Sequence, residues 1–282
     1  MPGSRKEATK IEDVTGNGKD PAPEPEAEPK PEEPKPKIVP PALPKEKSQS
    51  SGELSEKMVV IHGPPGVGKS TLASQWGGGD IFFFNCAGEL GELEVYQQPI
   101  LSWEDFRSYA WALAEEAKKN GPPYAGCAID TSDKLGDYCS ERVLKKLGIA
   151  HESDLDWGKG WTTLRKEWST NISKLAAIPH MGVVHVTHST EVEVKTRSAQ
   201  WNKNVPRGTK GVVNAMVDAA DIVIFLDFAE DDDTKRVLKT KPSRYWVAKE
   251  RGQSPRLPAE IEWPLGENGW EILKAAWDKG GK

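Results

Sequence analysis

Nowhere in the 282 residues do 18 apolar side chains follow one another, so no segment has the length and character of a membrane-spanning helix. The first residues also lack an apolar signal core, and a soluble, cytoplasmic protein is expected. Cysteine is scarce. Cys86, Cys127 and Cys139 are odd in number and none belongs to a C-x-x-C pair, which excludes a disulfide framework and a cysteine zinc site. They read as buried thiols of a reducing compartment. A basic surplus is missing too: 38 Lys and Arg stand against 43 Asp and Glu, for a net charge of -5. No global field therefore draws in nucleic acid, and any such contact must come from a local patch.

Large apolar side chains are nearly absent from the first fifth of the chain. Residues 1–56 hold half of the 22 prolines, interleaved with Glu and Lys, a composition that cannot bury enough surface to fold. A disordered, partly extended tail is expected over 1–56, acting as a tether, a partner-binding arm or a solubilising extension. The folded unit is expected over 57–282, long enough for a substantial core.

What the chain does have is a phosphate-binding loop. The apolar run Met58-Val59-Val60-Ile61 leads into Gly63, Pro64, Pro65, Gly66, Val67, Gly68, Lys69, Ser70 and Thr71, a complete G-x-x-x-x-G-K-S pattern. Glycines let the backbone curl until successive amides converge on phosphate oxygens, Lys69 supplies a cation for the outer phosphates, and Ser70 is a ligand for Mg2+. A nucleoside triphosphate with Mg2+ is the expected ligand.

Apolar runs at 81–84, 124–130, 181–187 and 222–226 read as buried strands, and helical spacing covers about 102–119, 134–147 and 161–175. Ser102, three residues before Asp105, marks a helix start. Alternating strands and helices predict an α/β fold with a mainly parallel sheet, and the shorter runs 236–240 and 245–248 predict antiparallel edge strands. Trp161 and Trp168 fit a helix's buried stripe, and Trp263, Trp270 and Trp277 are expected to pack the C-terminal segment. Ligands of such sheets sit beyond the C-terminal strand ends, so Gly63, Asn85, Asp130 and 187–189 are expected to converge on one nucleotide.

Asp130 ends its strand about sixty residues after Lys69, where a carboxylate holds Mg2+; a helix cap is the plainer alternative. No acid follows it, so the group that orients water must come from elsewhere, and Glu89 or Glu92 after the second strand are the candidates. Thr187 and His188 are placed to sense the terminal phosphate, or simply to end the strand. His185 and His188 also form a His-x-x-His pair, the sharper idea of a metal site. Between Ser189 and Gly211, Lys195, Arg197, Trp201, Lys203, Arg207 and Lys210 combine cations with an aromatic, the means of gripping single-stranded DNA without sequence preference; an ordinary solvated hairpin and loop is the alternative. Lys239 and Lys241 are candidates to reach a neighbouring subunit's nucleotide in trans.

Taken in order, Gly63 to Thr71, Ser102-Trp103-Glu104-Asp105, Ile129-Asp130-Thr131, Gly158-Lys159-Gly160-Trp161, His185-Val186-Thr187-His188 and Lys239-Thr240-Lys241-Pro242-Ser243 resemble the phage nucleotide-binding family of RecA-like P-loop ATPases, which includes the Sak-type single-strand annealing proteins. The resemblance covers roughly Met58 to Pro264. It implies a RecA-like core, ATP with Mg2+, a homo-oligomer, single-stranded DNA as partner, and a role in phage recombination or annealing beside a single-strand-binding protein, in the host-cell cytoplasm. By position, Lys69 and Ser70 match the phosphate and Mg2+ residues, Asp130 the second acidic motif and His188 the polar residue after the sensor strand. The chain departs from the family after the second strand. Asn85, Cys86, Ala87 and Gly88 stand where members show acid-x-Glu-Gly, so weak or DNA-dependent hydrolysis is expected, with Glu89 as the substitute base. A motor or remodelling ATPase, and a nucleotide-gated interaction module, are the competing expectations.

Overall fold

Burial on both faces explains why the apolar runs become the centre of a sheet. The computed structural model describes Lys45 and residues 52–88, 90–232, 234–252 and 254–281, and the fold set out here is that of the unit 50–282. The strands are β1 (Met58–Gly63), β2 (Ile81–Asn85), β3 (Tyr96–Pro99), β4 (Gly126–Asp130), β5 (Gly182–Lys195), β6 (Gln200–Pro206), β7 (Ile222–Phe228), β8 (Lys235–Lys239), β9 (Lys249–Glu250) and β10 (Glu260–Pro264). The helices are α1 (Lys69–Ser74), α2 (Trp103–Asn120), α3 (Ser132–Leu147), α4 (Lys159–Ala176), α5 (Lys210–Ala219) and α6 (Gly269–Gly280).

The main path across the sheet runs β10-β8-β7-β1-β5-β4-β2-β3. From β7 to β3 every pairing on that path is parallel, while β8 and β10 add antiparallel edge strands as expected. One strand, β5, separates the strand before the phosphate loop from the strand that ends in Asp130. Alternation sorts side chains to the two faces. Val59, Ile61, Phe83 and Val186 pack with Leu72, Trp263, Trp270 and Trp277 on the side of α1 and α6. Phe84, Ile129 and Val183 pack with Phe106, Leu135, Leu164 and Trp168 on the side of α2, α3 and α4. Val60 and Val223 meet Met216 of α5.

Three details depart from expectation. The packed unit starts ahead of residue 57, because Leu54 belongs to the core and the Gly52 carbonyl accepts from Trp277 Nε1 at 3.0 Å. The rest of the expected tail, Lys45 apart, lies outside the described residues. The run 245–248 supplies only an isolated bridge, between Asn204 and Trp246, and the pairing strand is β9, one residue later. Finally, polar β3 forms a parallel edge strand that no alternation announced.

Helix α2 begins as its sequence predicts, with Ser102 Oγ accepting from the Asp105 amide at 3.1 Å. Cys86, Cys127 and Cys139 are buried and free. Burial pushes all three thiols up, Cys127 to about 12, which keeps them as unreactive packing groups. Among the described residues no helix is long and apolar enough to cross a membrane.

Candidate nucleotide-binding site

Gly63 ends β1 where β7 comes closest: a Cβ there would lie 2.1 Å from the Leu226 carbonyl oxygen, so only glycine lets the chain leave the sheet at this point. The loop then turns through Gly66 at φ 75° and Gly68 at φ 95° before α1 starts at Lys69. Lys69 is only 6% exposed and its ammonium donates to the Pro64 carbonyl at 2.7 Å, which holds the cation inside the curl.

Opposite the loop, Asp130 is 2% exposed at the C-terminal end of β4. Pro65, Gly66, Gly68, Lys69, Ser70 and Thr71 share one cavity of about 300 Å³ with Asp130, Thr131, Val186, His188, Leu90 and Leu93. The parallel register explains the convergence: Gly63 lies beside His188, and Asp130 beside Val186, so β1 and β4 end level with residues 186–188 of β5. Asn85, the fourth expected strand end, instead donates to Gln97 Oε1 and accepts from the Gly88 amide, and does not line the cavity.

The donor set suits Mg2+ carried by a nucleotide. No group of three or more His, Cys, Asp or Glu able to hold a metal occurs among the described residues. Mg2+ needs none, since it typically takes one or two carboxylates plus phosphate oxygens and water. Ser70 and Asp130 would supply the protein's share.

The family model described as an AAA domain matches residues 55–252. The chain belongs to this AAA domain family. Among relatives, the AAA domain chain is 26% identical over 196 residues to the SPbeta prophage-derived protein YorG of Bacillus subtilis (strain 168), an alignment covering 69% of this chain and 57% of that protein. It thus spans little more than half of that relative's length. A crystal structure of the RadB recombinase aligns with 76% of this chain and 89% of its own, at 14% identity and a TM-score of 0.45.

Within the AAA domain, strand alternation separates the two halves of the expected sensor. Val186 and His188 face the cavity, whereas Thr187 is fully buried on the other side, its hydroxyl 3.2 Å from the Arg207 carbonyl. His185 is likewise buried, its Nδ1 2.9 Å from Ser132 Oγ, and burial lowers its pKa to about 3. The two histidines of the His-x-x-His pair thus point to opposite faces, which removes the metal-site idea. Glu92 is exposed, and Glu89 lies outside the described residues.

The expected DNA-facing set divides. Strands β5 and β6 form a two-stranded antiparallel hairpin, with Trp201 opposite Val194 and Lys203 opposite Val192 on one face. The Trp201 indole donates to the Arg244 carbonyl at 2.7 Å, and Lys195 pairs with Glu193 at 2.7 Å. Arg197 is exposed in the hairpin turn. Lys210 opens α5 and lines a cleft of about 450 Å³ with Trp161, Thr162, Arg165, Gly211 and Asn214. Trp161 is therefore only half given to the core. Arg207 is engaged beside the cavity: its guanidinium lies 2.6 Å from Asp133 Oδ2 and 3.1 Å from His188 Nδ1.

Asp133 itself carried no sequence signal, being one acid among many in a helix's first turn. Its Oδ2 also lies 3.2 Å from His188 Nδ1. Burial works to raise this carboxyl, but the Thr131 hydroxyl, the charge and hydrogen bond of Arg207 and the contact with His188 together hold it below its ordinary range. Arg207 also donates its amide to the His188 carbonyl at 2.8 Å, so both feet of the hairpin are tied to the cavity wall.

Lys239 and Lys241 are both engaged within this chain. Lys239 is buried, 3.3 Å from Asp227 Oδ2 with its ammonium 4.5 Å from the Trp246 ring centre, and Lys241 contacts Glu250 at 2.7 Å. The register of β8 between β7 and β10 sets that use, and a reach into a neighbouring subunit would first break these pairs.

Proposed function

We propose that the chain binds ATP with Mg2+ and, in that state, assembles on single-stranded DNA to promote annealing or recombination, as the Sak-type resemblance implies. Lys69 and the loop amides would hold the phosphates, and Ser70 and Asp130 would hold the metal, which when bound neutralises phosphate charge. His188 would report the state of the terminal phosphate. Hydrolysis would be weak or DNA-dependent, because Asn85 and Ala87 lack carboxylates, with Glu89 as the substitute base. A homo-oligomer and a single-strand-binding protein complete the proposed assembly.

One observation carries this reading. Strand β5, whose Val186 and His188 line the nucleotide cavity, continues into the cationic hairpin, and Asp133 ties His188 to Arg207 at the hairpin's other foot. A change at the phosphate is thereby linked to the faces that bear Trp201, Lys203 and Lys210. Cations beside aromatics favour single strands, since phosphates are neutralised while unpaired bases stack.

The test is anisotropy of a labelled oligothymidylate with Mg2+ and ATP, ADP or no nucleotide. ATP should tighten binding at least tenfold, and K203A with K210A should remove most of that affinity. Equal binding in all three states would overturn the coupling. Vigorous phosphate release without DNA would favour a motor instead.

A further inference from the structure

A second cation stands against the phosphate loop. Arg236 lies on β8, opposite Phe228 of β7 and Trp263 of β10, so its flanking partners across the sheet are aromatic rather than acidic. Its guanidinium stacks over Trp263 with Cζ 4.9 Å from the ring centre. That stack is turned toward the loop. A Cβ on Gly68 would lie 3.0 Å from Arg236 Nε, 3.4 Å from its Cζ and 3.3 Å from Trp263 Cη2.

The environment of this arginine is unbalanced. Its Nε is buried and has no hydrogen-bond partner among the described residues, and no ion pair to Arg236 is found among them either. A guanidinium is charged at all accessible pH values and a buried N–H without an acceptor is costly, so such a group calls for an anion. Stacking on Trp263 offsets part of the charge's desolvation but supplies no acceptor. The other arginine beside the cavity, Arg207, is more exposed and is paired with the buried carboxylate of Asp133.

We propose that Arg236 is a nucleotide-binding residue, its guanidinium taking a phosphate oxygen of the triphosphate held by the loop that Gly68 closes. The inference rests on the proposed nucleotide site and adds to it a cation from the antiparallel edge of the sheet. Lys69 approaches the phosphates from inside the curl, whereas Arg236 approaches from the Gly68 flank. Planar and pre-oriented by Trp263, the arginine would act by geometry as well as charge, so lysine should replace it only in part.

The experiment titrates the full-length protein with MgATP, MgADP and adenosine by calorimetry, comparing wild type, R236M, R236K and K69A. Methionine keeps an apolar stem against Trp263 and removes the charge. R236M should weaken MgATP and MgADP at least tenfold, R236K about threefold, and neither should change adenosine binding or shift the ligand-free melting temperature by more than a few degrees. Wild-type MgATP affinity in R236M, with loss in K69A, would overturn this inference and leave the nucleotide site standing. Absence of binding by wild type would overturn both. Should R236M fail to fold, the arginine Nε–H signals of unaltered protein decide: one resonance, absent from R236K, should shift and exchange more slowly with solvent on adding MgADP. An unmoved resonance would count against the proposal.

Discussion

Replacing Lys69 by alanine should lower MgATP affinity about 100-fold, the loss expected when a charge-assisted hydrogen bond worth up to ~3 kcal/mol is removed from a desolvated site. The expectation follows from placement. Lys69 is almost wholly buried, its ammonium holds the Pro64 carbonyl, and it opens onto the cavity that Asp130 closes. An ammonium carries three donors, so contact with the loop leaves capacity for phosphate oxygens. Alanine keeps the backbone curl, because the positive φ angles belong to Gly66 and Gly68. The variant should therefore melt at the wild-type temperature without ligand, yet gain none of the stabilisation that saturating MgATP gives the wild type. Equal thermal shifts in the two proteins would refute the assignment.

The second large effect is acid destabilisation below neutral pH. His62 sits fully buried in β1, and its Nε2–H donates to the Val247 carbonyl at 2.7 Å while Nδ1 takes the Ser189 hydroxyl at 2.8 Å. Burial, aided by the Lys69 charge and opposed by the Val247 contact, lowers its pKa to about 4. His185 is lowered by burial to about 3. In the unfolded chain both take a proton near pH 6.5, so the unfolded state binds protons that the folded state refuses, and stability falls with pH below that point. The loss continues until the folded values are reached. Between pH 7 and 5 it amounts to roughly 2 kcal/mol for each histidine, about 4 kcal/mol together, taking their pKa values as about 4 and about 3. Asp133 adds nothing in this window: its lowered carboxyl contributes fully above 3.8 and loses its contribution only as pH drops further. Urea midpoints at pH 7 and 5 check the claim, and coincident midpoints would defeat it.

The features legible in the sequence were those set by local chemistry. The phosphate loop declares itself because only glycines take its turns, and β1, β2, β4, β5 and β7 declare themselves because strands buried on both faces need unbroken apolar runs. Ser102 and Asp105 fixed the start of α2 for the same local reason. Strand β3 was hidden because an edge strand needs neither alternation nor an apolar run, and Tyr96-Gln97-Gln98-Pro99 has neither. Pairings across long separations were hidden as well. Nothing local distinguishes Arg207 from Lys203, yet one is paired with Asp133, 74 residues away, and the other lies on the hairpin face. Arg236 was overlooked because its significance comes from Gly68 and Trp263, which only the sheet order brings to it.

The central claim is that Lys69 would hold the phosphates, and Asp130 the Mg2+, of one nucleotide, and the most direct test is the Mg2+ dependence of ATP binding in wild type and D130N, measured by calorimetry. Wild type should bind ATP at least tenfold more tightly with Mg2+ than with chelator, and D130N should retain less than a threefold gain while binding metal-free ATP no more weakly. A full Mg2+ gain in D130N, or no ATP binding by wild type, would contradict it.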